Sequence, residues 1–256
     1  MTWEQFIYFA IIAVVLWITG AWAAWKDKKG IAYTSTVLGL LVFFSFILSM
    51  WVSLERPPLR TMGETRLWYS FFLPLAGIIV YSRWKYKWIL SFSTTLAIVF
   101  ICINLFKPEI HSKTLMPALQ SPWFAPHVIV YMFAYAVLGV STLMAVYFLV
   151  KKQSPTPQLD DLVYVGLAFM TIGMLFGALW AKEAWGHYWS WDPKETWAAI
   201  TWFSYLVYVH YRQIPTQKPK LALCVLLVSF VLLQMCWWGI NYLPSAQGAS
   251  VHVYNQ

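Results

Sequence analysis

Charged side chains are scarce in this 256-residue sequence, where Asp, Glu, Lys and Arg together make up only 11%. An ordinary soluble domain carries about 25% charged residues. This chain is instead 60% hydrophobic and 19% aromatic. So few polar side chains cannot cover the surface of a water-soluble globule of this size. The composition therefore argues against a soluble domain and indicates an integral protein of the lipid bilayer.

Cysteine is also rare, and its three copies form no C-x-x-C pair. Cys102, Cys224 and Cys236 all lie within apolar runs, where a thiol behaves as a small hydrophobic packing group. The missing pair argues against thiol–disulfide exchange and against a cysteine-based zinc site.

Long apolar segments make up most of the sequence. A helix needs roughly 20 apolar residues to cross the hydrocarbon core of a bilayer. The sequence therefore predicts an all-α, polytopic membrane protein of about eight transmembrane helices. No tandem repeat or long linker interrupts it, so we expect a single integral membrane domain over residues 1–256. The eight predicted spans are 3–25, 31–54, 67–82, 86–106, 126–150, 160–181, 196–211 and 221–242.

Positive charge is distributed unevenly between the two sets of loops that these spans define. One set carries eleven lysines and arginines and the alternate set seven, and the acidic residues leave the alternate set with no net charge. The eleven are Lys26, Lys28, Lys29, Arg83, Lys85, Lys87, Lys151, Lys152, Arg212, Lys218 and Lys220. By the positive-inside rule this face is cytoplasmic, so both termini are expected on the outer face. The net charge of +8 then reflects orientation and anionic headgroups, not nucleic acid.

Tryptophan is concentrated in residues 180–202, which we call the aromatic loop, on the predicted outer face. Interfacial anchoring explains one or two tryptophans, but not six in so short a stretch. Gly186 permits a tight turn, and Pro193 stops one element or begins the next. We expect a compact aromatic shelf for a large, flat, apolar ligand, with Asp192 and Lys194 as its polar groups. The six tryptophans are Trp180, Trp185, Trp189, Trp191, Trp197 and Trp202.

Histidine occurs five times, and four of the five lie on the predicted outer face. Two facing imidazoles can ligate a haem iron, and His127 and His252 are the outer pair that could flank the aromatic loop. His210 lies at the cytoplasmic end of the seventh span, where an ionisable residue is a functional candidate. His187 belongs to the loop itself, and His111 is expected to be a solvated loop residue.

A second polar stretch, residues 55–72, lies on the predicted outer face. It carries Arg56, Arg60 and Arg66. Arginine forks match carboxylate geometry, so these residues could pair with haem propionates. A solvated loop re-entering the membrane is the alternative.

The motif WGHYWSWDPKETW, at residues 185–197, resembles the tryptophan-rich WWD signature of the cytochrome c assembly proteins. Its flanks resemble the CcsA/ResC branch of system II more closely than the CcmC or CcmF branches. The similarity extends over roughly residues 55 to 256. Four further stretches carry it: RPPLRTMGETRLWYSF, PALQSPWFAPHV, YVHYR and SVHVY.

This resemblance implies a protein of cytochrome c biogenesis and haem transport in a bacterial inner membrane. The family holds haem b on the outer, periplasmic face and presents it for covalent thioether attachment to the C-x-x-C-H motif of apocytochrome c. His127 and His252 would then be the axial ligands of the haem iron. The residues implied to cradle the ring are Trp180, Trp185, Gly186, Trp189, Trp191, Asp192 and Trp197. His187 stands where the family usually has a small residue.

The resemblance also implies a partner subunit. Residues 1–110 contain no histidine, so His210 has no obvious intramembrane partner in this chain. In the family that partner comes from a second protein, CcsB/ResB, or from its fused portion. We therefore expect this chain to be the CcsA half of a holocytochrome c synthase, or haem lyase, complex. No acid–base pair or activated nucleophile is evident, so catalysis would consist mainly of positioning.

Three alternative functions remain open. A haem exporter or chaperone would share the site without performing the ligation. A haem-b electron-transfer subunit would place paired histidines in the middle of two spans, whereas these histidines lie at helix ends and in loops. A small-molecule transporter would use tryptophans as a gate and often shows inverted repeats, none of which is seen.

Overall fold

The computed structural model describes residues 2–111 and 121–244, apart from the side chain of Asn241. This part of the chain is entirely helical, with eight α-helices and no strand, which confirms the predicted fold class. The α-helices are α1 Phe6–Trp25, α2 Lys29–Leu54, α3 Met62–Trp84, α4 Lys87–Phe106, α5 Phe124–Val150, α6 Pro157–Trp185, α7 Pro193–Arg212 and α8 Pro219–Trp237. Short 3-10 helices cover Trp3–Gln5, Pro108–His111 and Gly239–Tyr242.

Six helices are long and apolar enough to cross a membrane, and α3 and α7 are not among them. Both carry polar residues in their first turns, and α3 contains Pro74. Helix α3 also begins five residues before the predicted span. Thr61 caps it by accepting a hydrogen bond from the Glu64 N–H at 3.1 Å, and Glu64 reciprocates. This capping box extends the helix into the polar stretch that precedes the predicted span.

Two compact units divide the chain, Met1–Leu119 and Gln120–Gln256. In the first unit α1 contacts α2 and α4, and α3 contacts α2 and α4, so the four helices form a closed ring. Small residues allow close approach between α1 and α2. A Cβ on Gly39 would come within 2.6 Å of the Trp17 ring, for example. The prediction of a single membrane domain over residues 1–256 stays a prediction.

The second unit repeats this arrangement, because α5 contacts α6 and α8, and α7 contacts α6 and α8. One end of this unit is held by Asp160, whose carboxylate accepts from Arg212 at 2.7 and 2.9 Å and from the Tyr208 hydroxyl at 2.8 Å. At the opposite end the start of α5, the end of α6 and the start of α7 come together around the aromatic loop. This end contains the candidate site.

Candidate functional site

His127 lies in the first turn of α5 and is half-buried. Its Nδ1 atom lies 2.8 Å from the carbonyl oxygen of Gly173 on α6. A backbone carbonyl can only accept a hydrogen bond, so Nδ1 donates and the lone pair of the neutral ring lies on Nε2. Metal-ligating histidines commonly make this same hydrogen bond to a carbonyl through the nitrogen that does not bind the metal.

Aromatic rings surround this imidazole. Its centroid lies 4.8 Å from the ring of Tyr131 and 5.5 Å from that of Trp180, which is only 3% exposed. Trp180 in turn contacts Phe124 at 4.9 Å and Trp185 at 5.0 Å. His127 and two tryptophans of the predicted cradle therefore share one continuous aromatic cluster.

The turn that follows α6 is built around Gly186. This residue ends the helix with φ +86°, in the left-handed region that glycine adopts without strain. Its carbonyl accepts a hydrogen bond from Lys182 Nζ at 2.8 Å. Beyond it, the rings of Trp189 and Trp191 meet edge to face at 5.7 Å. The predicted tight turn and the packing of these two tryptophans are thus present.

Asp192 organises the end of the aromatic loop. Its carboxylate accepts from the backbone N–H groups of Lys194 at 2.9 Å and Glu195 at 3.1 Å, so it caps α7. Pro193 occupies the first turn of α7, which makes it the start of an element. Glu195 reaches back to the N–H groups of Ser190 at 2.7 Å and Asp192 at 3.3 Å. Asp192, expected as a polar group for a ligand, is 8% exposed and serves the backbone of its own loop.

Two tryptophans of the loop are unusual for a purely structural segment. Trp191 has φ +58°, which is strained for a bulky residue, and its side chain is 68% exposed. The indole N–H of Trp189 is buried and has no hydrogen-bond partner in the part of the chain that the structure describes. Trp197, in the first turns of α7, is half-buried.

His210 does not belong to this cluster. It lies sixteen residues along α7 from Lys194, about 24 Å at the helical rise per residue. Its ring is exposed, and Nδ1 donates to the Leu206 carbonyl at 2.8 Å. It shares its exposed face with Phe203 and Val207.

The remaining histidines have varied surroundings. His252, the predicted second axial ligand, lies in residues 245–256, outside the described residues. His187 is exposed on the loop. His111 belongs to the first unit and is not a solvated loop residue, because its ring stacks on Trp3 with centroids 3.6 Å apart. Its Nε2 is buried without a hydrogen-bond partner among the described residues.

The arginine-bearing stretch of the first unit is folded back on α3. Arg56 forms a two-pronged ion pair with Glu64, with both N–O distances 2.9 Å and the Glu64 side chain only 4% exposed. The Trp68 indole also donates to the Pro58 carbonyl at 3.0 Å. The guanidinium of Arg56 therefore has a carboxylate partner within its own loop.

No group of three or more His, Cys, Asp or Glu residues within residues 2–111 and 121–244 could hold a bare metal ion. A haem iron differs, because its porphyrin supplies four ligands and the protein one or two axial groups. An imidazole with a fixed tautomer, set among aromatic rings, fits that requirement. The orphaned Trp189 N–H fits the carboxylates that haem carries.

These features define a polytopic helical membrane protein with an imidazole and an aromatic loop at one end of a four-helix unit. The family model described as "Cytochrome C assembly protein" matches residues 62–246, and the chain belongs to that family. It is of the CcsA type and acts in cytochrome c biogenesis.

Three curated relatives illustrate the similarity, each described as "Cytochrome c biogenesis protein CcsA". The Chlamydomonas reinhardtii protein is 32% identical over 250 residues, which cover 89% of this chain and 70% of the relative. The Zea mays protein is 29% identical, covering 97% of this chain and 94% of the relative. The Guillardia theta protein is 27% identical, covering 97% and 93%.

Some residues of the site were not identified from the sequence. Gly173 accepts the His127 hydrogen bond, Tyr131 packs on the imidazole, and Glu195 shapes the loop backbone. The spacing of the glycines on α6 is a usable signal, because small residues in a membrane helix mark where a neighbour approaches closely. Glu195 could have been found as the third residue after a capping Asp.

Proposed function

We propose that this protein holds haem b at the outer membrane face and presents it for thioether attachment to the C-x-x-C-H motif of apocytochrome c. His127 and His252 are the axial ligands, and the aromatic loop cradles the ring. The observation that carries the proposal is the hydrogen bond from His127 Nδ1 to the Gly173 carbonyl, which leaves the lone pair on Nε2. That bond lies within the aromatic cluster that leads into the loop.

Each loop residue has a distinct part in this proposal. Trp180 packs against the imidazole and Trp185 packs against Trp180. Gly186 forms the turn, and Asp192 fixes the start of α7. Trp189, Trp191 and Trp197 supply aromatic surface, and the Trp189 N–H would donate to a haem propionate.

Haem supplies the vinyl groups to which the two thiols add. The nucleophile is the substrate's own thiol, so the protein's contribution is to bind, orient and exclude water. Holding two reactants in register is a sufficient source of rate acceleration, and it agrees with the absence of an evident catalytic base in the sequence.

His210 is a candidate ligand for haem within the membrane, before it reaches the outer site. Its ring is exposed near the end of α7, beside the exposed apolar side chains of Phe203 and Val207. A second imidazole would come from a CcsB/ResB-like membrane subunit, so the working unit is a haem lyase complex. The exposed position of His210 supports a ligand shared with another chain.

The proposed location is a bacterial inner membrane, with both termini and the aromatic loop on the periplasmic face. The uneven distribution of lysine and arginine supports this orientation. The relatives named above come from eukaryotic organisms.

An absorbance spectrum tests the outer site. The protein, co-expressed with its partner subunit, would be purified as wild type and as His127→Ala and His252→Ala. We expect a low-spin bis-histidine spectrum that is lost or altered in both variants. His111→Ala, which changes a histidine of the other unit, serves as the control. Unchanged haem content and spectra in both ligand variants would overturn the axial assignment.

A second measurement separates ligation from export. Apocytochrome c is co-expressed with the wild-type complex, and covalently attached haem is detected on the denatured cytochrome. Covalent haem that depends on His127 supports presentation for ligation. A wild-type complex that binds haem but leaves the cytochrome unmodified would support a haem exporter or chaperone.

A further inference from the structure

Three glycines of α6 face three side chains of α5. A Cβ on Gly166 would come within 2.6 Å of Leu138, and one on Gly173 within 2.6 Å of Tyr131. A Cβ on Gly177 would lie 2.8 Å from both Nδ1 and Cε1 of His127. Real Cβ atoms essentially never approach another atom so closely. At these three positions α6 therefore presents no side chain to α5.

The last of these glycines, Gly177, lies against the edge of the imidazole that makes the hydrogen bond. The Nδ1 atom that a methyl group at residue 177 would meet is the atom that donates to Gly173. In a helix, a side chain lies beside the carbonyl of the residue four positions earlier, as serine and threonine hydroxyls show when they bond that carbonyl. A side chain at 177 would therefore cover the Gly173 carbonyl, whose second lone pair the imidazole uses.

We propose that Gly177 is a positioning residue for the haem ligand His127. Its missing side chain leaves room for the ring and access to the Gly173 carbonyl. The carbonyl then fixes the Nδ1–H tautomer and the orientation of Nε2. This inference rests on the proposed role of His127.

The hydrogen bond has a consequence beyond orientation. An imidazole that donates to a carbonyl is a more basic ligand, which favours the ferric over the ferrous iron. The Gly177–Gly173 pair therefore lowers the reduction potential of a haem bound by His127. Thioether formation requires reduced haem, so this contact influences how readily the bound haem becomes competent.

Gly177→Ala and Gly166→Ala form a matched pair for the test. Both add one methyl group to α6 at a crowded contact with α5, but Gly166 meets Leu138, away from the histidine. In the haem-loaded complex, we expect Gly177→Ala to weaken the low-spin spectrum and make the reduction potential more positive. Gly166→Ala should leave both unchanged apart from any loss of protein. Equal spectra and potentials in the two variants would overturn the inference.

A thermal double-mutant cycle tests the contact without haem. We expect Gly177→Ala to lower the melting temperature and His127→Ala to recover most of that loss, because the ring that the methyl group meets is gone. The same His127→Ala change should give no recovery when combined with Gly166→Ala. Additive effects in both pairs would contradict the positioning role.

The two proposals fail in different ways. If His127→Ala alone leaves the haem spectrum intact, the axial assignment fails, whatever the glycine variants do. If His127→Ala alters the spectrum while Gly177→Ala behaves as Gly166→Ala does, the ligand stands and the positioning role is wrong.

Discussion

Asp192 and Glu195 cap the same helix reciprocally. The carboxylate of Asp192 accepts from the Glu195 N–H at 3.1 Å, and that of Glu195 accepts from the Asp192 N–H at 3.3 Å. Both side chains are 8% exposed. The acidic residue that closes the tryptophan motif therefore shapes the loop backbone, and its charge is directed at the first turn of α7.

This arrangement distinguishes Asp192→Asn from Asp192→Ala. Asparagine keeps a capping oxygen, whereas alanine removes it at a cost of about 1 kcal/mol of stability. We expect Asp192→Ala to lower both the melting temperature and the haem content, and Asp192→Asn to retain most of each. Melting curves and haem-to-protein ratios provide the measurements. Equal haem loss in the two variants would mean that the negative charge itself meets the ligand.

Replacing Trp191 should change the stability of the protein and its haem binding in opposite directions. A non-glycine residue in the left-handed region costs roughly 1–2 kcal/mol, and glycine adopts φ +58° without that cost. We expect Trp191→Gly to raise the melting temperature of the haem-free protein while reducing haem retention. Trp238→Gly, at another exposed tryptophan, is the comparison. A variant that loses stability and keeps haem would contradict a functional reason for the strain.

The Trp189 indole N–H gives a narrower test. A buried donor without an acceptor costs about 1–3 kcal/mol, so Trp189→Phe should leave the haem-free protein equally or more stable. If the N–H donates to a propionate, the same variant should bind haem more weakly. Trp202→Phe is the control, because the Trp202 N–H already donates to Thr171 at 2.9 Å. Unaltered haem affinity in Trp189→Phe would contradict the proposed hydrogen bond from Trp189 to a haem propionate.

The Asp160–Arg212 pair should matter for folding and not for the outer site. Each side chain is only 12% exposed, so removing one partner leaves a poorly solvated charge and costs about 3–5 kcal/mol. We expect Asp160→Leu to lower the melting temperature sharply, and Asp160→Leu with Arg212→Met to recover much of the loss. The haem spectrum of the double variant should match wild type. A changed spectrum would show that the ion pair influences the proposed haem ligands at the opposite end of the unit.

The lowered pKa of His111 should make the stability of the protein depend on pH. Burial lowers its pKa below the usual value near 6.5, although a hydrogen bond to the Asn104 backbone and the charges of Glu109 and Glu64 oppose that shift. The unfolded chain then takes up a proton more readily than the folded one, so stability falls as pH drops through the unfolded pKa. We expect the melting temperature to decrease between pH 7.5 and 5.5.

The control for this prediction is His111→Phe, which keeps an aromatic ring against Trp3 but cannot titrate. Its melting temperature should fall less over the same range. A wild-type protein and a His111→Phe variant with identical pH profiles would show that this histidine does not govern the acid sensitivity.

Much of the fold could be predicted because apolar length alone identifies a membrane helix. Among the described residues, six helices are recognisable by their apolar length, and α3 and α7 coincide with the two short predicted spans, 67–82 and 196–211. Gly186 and Pro193 form the turn and the helix start that their chemistry favours. The early start of α3 was missed because Thr61 and Glu64 extend that helix through polar residues. Capping side chains, not hydrophobicity, set that boundary.

The packing partners could not be predicted in the same way. Helices that are apolar on every side show no periodic stripe, so the sequence does not reveal which face meets a neighbour. The contact between Gly177 and His127 joins residues fifty positions apart, and the stacking of His111 on Trp3 joins more distant ones. Each depends on how the helices come together. The role of Asp192 likewise depends on the backbone geometry of its turn.

The contact of α8 with α5 closes the second ring of helices within one continuous stretch of polypeptide. The aromatic loop and the proposed haem ligands His127 and His252 are all encoded between Gln120 and Gln256. A gene split between the two units would thus divide the protein without dividing the site among its fragments. The region proposed to hold haem is therefore one continuous block of sequence.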